Sequence, residues 1–145
     1  MRMPLPIAAL AAFLLTTGVA PAADPDDIFI VRTTPKTPDA IVAAVRSYSE
    51  QQQWMFVSES KVKQGQVTLV KICIPDVGKL VWPLGLQLSA LLPCGNMGGY
   101  ANGAMTEISV LHPRYMHMLY PDPALEQAGA VAEPLLTEML DAVTK

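Results

Sequence analysis

Two cysteines, two histidines and eight methionines are the side chains of this 145-residue chain suited to soft-ligand or redox chemistry. Cys73 closes an alternating apolar run, and Cys94 follows Leu91-Leu92-Pro93. They do not form a C-x-x-C pair, so a thioredoxin-like exchange lacks its motif. The C-x-x-C-H of c-type haem attachment is missing as well. A bridge between the two would close a loop of about 20 residues and contribute on the order of 3 kcal/mol by restricting the unfolded chain. Three readings stay open: two buried structural thiols, a structural disulfide, or a redox or metal pair.

Met116-His117-Met118 offers thioether and imidazole, ligands that suit Cu(I). Adjacent residues on a helix, however, diverge by about 100° and cannot converge on one ion. His112 and Met116 are spaced to share a helix face. Methionine is also a common filler of irregular core gaps, which is the simpler reading of these residues. The histidines do not have the spacing of an H-E-x-x-H zinc pair. Gly95-Asn96-Met97-Gly98-Gly99 matches neither the dinucleotide fingerprint nor the Walker loop. Close backbone approach or a bulge in a strand explains it better. No G-x-S-x-G elbow occurs. Glu59, Asp76 and Glu107 are the acids near strands or strand ends, where a solvated face or a cap is the default. The candidate binding set is therefore Cys73, Cys94, Gly95, Asn96, His112 and Met116, with no catalytic group and no cofactor indicated.

The elements that must position these residues follow from pattern. Ile28 to Arg32 reads as a first strand and Thr33 to Lys36 as a connector. Thr37-Pro38-Asp39 opens a helix with a capping hydroxyl, proline at the first position and an acid at the positive end. Ile41, Val42, Val45 and Tyr48 give that helix an apolar face, and Gln51-Gln52-Gln53 ends it. Strands at Trp54–Lys61 and Val67–Ile74 flank a turn at Lys63 to Gln66. In the second of them Val70, Ile72 and Ile74 share one face, Lys71 and Cys73 the other. Pro75-Asp76 opens a short helix. Cys94–Tyr100 reads as a fourth strand, Asn102-Gly103 as a hairpin turn, and Met105–Leu111 as a fifth strand with Thr106, Ile108 and Val110 on one face. His112-Pro113 opens a short helix to Tyr120. A last helix runs from Pro123 to about Val143, with Pro134 expected to kink it. The fold class is α+β: a two-layer sandwich of a mostly antiparallel five-stranded sheet with helices on one face.

Residues 1–22 read as a secretory signal peptide. Arg2 precedes an uncharged apolar run from Leu5 to Leu15, and Ala20-Pro21-Ala22 offers a cleavage site before Ala23. The run is about half the length of a membrane-crossing helix. Residues 23–145 then form a single domain, expected in the periplasm or secreted, where an oxidising compartment permits cysteine pairing. The net charge is −3 and no Lys/Arg cluster occurs, which argues against nucleic acid or an anionic membrane surface as partner. Leu80 to Pro93 is broken by Pro83, Gly85 and Gln87, so no span is expected in the mature chain.

The succession Ile72-Cys73-x-Pro75, Leu91-Leu92-Pro93-Cys94, a hairpin, His112-Pro113-x-x-Met116 and an amphipathic last helix resembles the domain-of-unknown-function 302 family, over about Ile28 to Val143. Leu-Leu-Pro-Cys is the most specific part. The resemblance implies a two-layer α/β sandwich and carries no reaction with it. Two stretches depart from the family pattern: Val77 to Ala90 is more apolar, and the strand after Cys94 is richer in glycine.

The functional expectation is an exported, non-catalytic binding or accessory module that uses the surface around Cys94 and Gly95–Gly99 to take a small ligand or a protein. The alternative is a periplasmic thiol-redox or Cu(I)-handling protein using Cys73 and Cys94, with Met116 or His112. A homodimer through the Lys71/Cys73 face is a third expectation, if the helices cover only the other face.

Overall fold

The structure, a computed structural model, describes residues 28–90 and 96–145. The expected signal peptide, Cys94 and Gly95 lie outside the described residues. Strand β1 spans Phe29–Thr34 and helix α1 spans Pro38–Gln51. Thr37 caps α1 by accepting a hydrogen bond from the Ala40 N–H at 3.2 Å, which satisfies one of the donors a helix start leaves open. Strands β2 (Met55–Val62) and β3 (Val67–Cys73) are joined by a tight turn at Lys63–Gly65, whose three residues have φ of +50°, +56° and +84°. Helix α2 (Pro75–Val81) begins on a proline, and two 3-10 turns follow at Trp82–Leu84 and Leu86–Ala90. Strands β4 (Met97–Asn102) and β5 (Met105–Leu111) form a hairpin. Gly103, the first residue of its two-residue loop, has φ +63°, the conformation that a type II′ turn asks of glycine. Helix α3 spans Tyr115–Leu119. Helix α4 spans Pro123–Thr144, capped by Asp122 Oδ1, which accepts from the Ala124 N–H at 2.8 Å.

The sheet order is β1-β5-β4-β3-β2, with every neighbouring pair antiparallel. Register divides the side chains into two faces. On one, Val70 of β3, Met97 of β4 and Val110 of β5 lie in a row, with Ile72 and Ile108 beside them. All five are buried beneath Val45 of α1, Val77 and Val81 of α2, and Leu125, Leu136, Met139 and Leu140 of α4. Ion pairs bind the rims of this layer. Arg32 of β1 meets Asp141 of α4 at 2.6 Å, Arg46 of α1 meets Glu59 of β2 at 2.9 Å, and the Arg46 guanidinium lies 3.8 Å above the Phe56 ring.

The α+β two-layer sandwich read from the pattern is the observed architecture. Two local expectations need correction. Thr33 and Thr34 belong to β1, paired with Glu107 and Thr106, instead of to a connector. The α-helix expected from His112 begins at Tyr115; His112 still donates its N–H to the Ile28 carbonyl at 2.8 Å, and the chain enters the helix by tighter turns, with the Tyr115 N–H on the His112 carbonyl and the Met116 N–H on the Pro113 carbonyl, both at 3.1 Å. Pro134 lies inside α4, where the sequence reading placed it. It is exposed, so the carbonyl one turn before it, deprived of its N–H partner, faces water.

Candidate functional site: the uncovered sheet face

Among the described residues the helices pack on one face of the sheet and leave the other open. By register the open face runs in rows across the strands. One row holds Ser60, Leu69, Gly98, Ser109 and Val31. The next holds Val62, Val67, Tyr100, Glu107 and Thr33. On the other side of the first row, Lys71 stands beside Ser58, and Leu111 beside Phe29. A solvated antiparallel face normally alternates to polar residues. Here it carries Phe29, Met55, Val62, Leu69 and Met105, all exposed. They stand among polar neighbours, with Ser58, Ser60, Lys71, Ser109, Tyr100 and Glu107 between them.

The β2 bulge between Phe56 and Ser58 shapes this face. Two residues of β2 oppose one of β3 there, so the alternation slips by one. Met55 faces the open side, and beyond the bulge Ser58 and Ser60 face it too. Ser58, Ser60, Leu69, Lys71 and Asn96 line a hollow of about 350 Å³. Its floor continues to Gly98, which has no side chain. Among the described residues Lys71 makes no ion pair. The opposite corner is acidic. The Tyr100 hydroxyl donates to one Glu107 carboxylate oxygen, and Asn102 Nδ2 donates to the other at 3.2 Å. The hydrogen bond to Glu107, then partial burial, then the carboxylate's charge push the Tyr100 phenol above its ordinary value of 10.0.

The structure brings two of the expected site residues to this face. Cys73 is half-buried at the end of β3, with Met55 as its cross-strand partner, and Asn96 lines the hollow. Cys94 and Gly95 lie outside the described residues. His112 and Met116 are elsewhere. Met116 is buried in the core, and the His112 ring sits against Glu133 of α4, with Nε2 3.4 Å from Oε1. The run Met116-His117-Met118 splays as helical geometry requires, with Met116 inside and Met118 exposed. His117 Nδ1 lies 3.1 Å from the Asp122 carbonyl, which can only accept, so that nitrogen is the donor. Among the described residues no three His, Cys, Asp or Glu side chains gather to hold a metal ion. Among them, too, no helix is long and apolar enough to cross a membrane. Sequence reasoning had the Lys71/Cys73 face but missed Ser58, Ser60 and the Tyr100–Glu107–Asn102 cluster. Their signal depends on the bulge and on strand order.

These features define a small two-layer α+β sandwich with an unclothed sheet face. Its architecture is that of a solved protein described as the uncharacterized conserved protein DUF302 from Bacillus stearothermophilus, whose crystal structure superposes with a TM-score of 0.71. The match covers 81% of this chain and 98% of the other at 17% identity, a likeness of fold. The fold that the resemblance implied is thus the fold the chain has. No family model matches the sequence, and no curated protein does.

Proposed function

We propose that this protein is an exported, non-catalytic binding or accessory module whose working surface is the uncovered sheet face around Gly98. The observation that carries this reading is the one-sided helical cover among the described residues, which leaves Phe29, Met55, Val62, Leu69 and Met105 exposed on the same face as a hollow lined by Leu69, Lys71 and Asn96. Burying such side chains against a partner is favourable by roughly 25 cal/mol per Å² of apolar surface.

Leu69→Asp tests the reading. Leu69 is 44% exposed, so the charge costs the fold little, yet it lies in the middle of the docking surface. In an extract of the host envelope the wild type migrates larger than a single chain, and the variant migrates as a single chain with an unchanged melting temperature. Wild type at the size of one chain in that extract, or a variant that stays with its complex, contradicts the proposal.

One observation favours a second reading. Cys73 and Met55 are cross-strand partners on the same open face, a thiol beside a thioether. That is the ligand softness Cu(I) prefers, and the Cys73–Cys94 hypothesis of a thiol-redox or Cu(I)-handling protein starts there. Intact mass before and after alkylation without reductant decides it. Rapid uptake at Cys73 and Cys94, suppressed by Cu(I), supports the reading. No uptake until denaturant is added, with no hydrogens missing, removes it.

A further inference from the structure

Resting on the open-face reading, we infer that the occupant of this face is a second copy of the same chain, docked about a twofold axis through Gly98. The argument begins with charge. From Gly98, Lys71 lies one strand to one side and two residues one way; Glu107 lies one strand to the other side and two residues the opposite way. The two side chains are diametrically opposed about Gly98. With strands about 4.8 Å apart and about 3.4 Å per residue, they are roughly 17 Å apart. They cannot pair within one chain.

A twofold axis lying in the face, passing through Gly98 and crossing the Lys71–Glu107 line at a right angle, exchanges the two positions. Lys71 of each copy then stands over Glu107 of the other. Such self-complementarity is what a closed dimer needs: if residue i meets j, then j meets i. The pattern forms two ion pairs, one on each side of a centre built of the small residues Gly98 and Ser109. Gly98 carries no side chain and Ser109 beside it a small one, so the copies approach most closely where the axis passes, flanked by Leu69. Glu107 is oriented in advance by Tyr100 and Asn102, while Lys71 has no ion partner among the described residues.

The sheet edges offer a poorer route. Strand β2 is guarded by its bulge and by the charged residues Glu59 and Lys61, devices that discourage strand addition. On β1, Arg32 Nη1 donates to the Val31 carbonyl at 2.9 Å, occupying an edge acceptor with the protein's own side chain.

Sedimentation equilibrium of the purified protein, with charge variants, tests the inference. The expected result is a dimer that Lys71→Glu and Glu107→Lys each weaken about tenfold or more, since each change places like charges face to face twice. The double variant Lys71→Glu/Glu107→Lys restores the dimer, because the exchanged charges meet again across the axis. Circular dichroism and the melting temperature confirm that each variant is folded. If Glu107→Lys disturbs its Tyr100 and Asn102 contacts, Lys71→Glu alone still decides. A dimer indifferent to Lys71→Glu, or a double variant that does not recover, overturns the geometry. A purified protein that remains a single chain at every concentration, yet migrates in a larger complex in envelope extract, overturns the second copy and leaves open-face docking standing. Single chains in both settings remove both.

Discussion

Glu107 is the most constrained side chain on the open face. Two donors, Tyr100 Oη and Asn102 Nδ2, hold its carboxylate. The carboxylate in turn holds the Tyr100 proton, so Tyr100 titrates above 10.0. The consequence for stability has a definite sign. The folded state keeps the proton more tightly than the unfolded chain does. The contribution of this hydrogen bond is therefore fully present below pH 10 and is lost as pH rises from there through the folded value. Glu107→Gln moves the Tyr100 ring signal to a lower titration midpoint by NMR; an unmoved midpoint would show that Glu107 is not the cause. Ser49 carries a prediction of the opposite kind. Its Oγ is buried on α1 and has no hydrogen-bond partner among the described residues. Ser49→Ala removes a desolvated polar atom and raises stability by about 1 kcal/mol in chemical denaturation. Loss of stability would mean that the hydroxyl has a partner.

At the scale of elements, α4 is the spine of the helical layer. Leu125, Ala128, Ala132, Leu136, Met139, Leu140 and Val143 are buried along it, a stripe that the 3.6-residue period made legible from the sequence. The segment entering α3 crosses α4 closely at Gly129, where a Cβ would stand 3.3 Å from the Pro113 carbonyl oxygen and 3.5 Å from the Arg114 Cα. Gly129→Val forces these backbones apart and lowers stability by about 1–3 kcal/mol; an unchanged unfolding midpoint would show that the crossing is loose. Helix starts were legible too, because Thr37-Pro38 and Asp122-Pro123 each carry a cap and a proline in the right order. Strand β4 was harder. Gly98 and Gly99 have no side chains to alternate, so neither face nor start could be read. The β2 bulge was invisible for a related reason. Met55, Val57, Glu59 and Lys61 share a face in a regular strand, and only the extra residue turns Ser58 and Ser60 to the side of Met55. The hollow follows from that slip, and the sequence carried no mark of it.

For the molecule as a whole, the arrangement that matters is relational. Lys71 and Glu107 oppose each other about Gly98 only because β4 lies between β3 and β5. Alternation within a single strand places Lys71 on the open face but says nothing of what stands diagonally across it. The exposed apolar residues are likewise scattered through the sequence, from Phe29 to Met105, and only the sheet brings them to one face. The central claim is that this gathered surface is a docking surface, and two methionines test it most directly. Met55 on the open face and Met118 on the helical side are each 63% exposed in the single chain. Their oxidation rates by dilute peroxide, followed by peptide mass spectrometry on protein in its native envelope extract, compare the two faces within one molecule. A docked face slows Met55 relative to Met118, and Leu69→Asp restores parity. Equal rates in the wild type would mean that the open face meets only water.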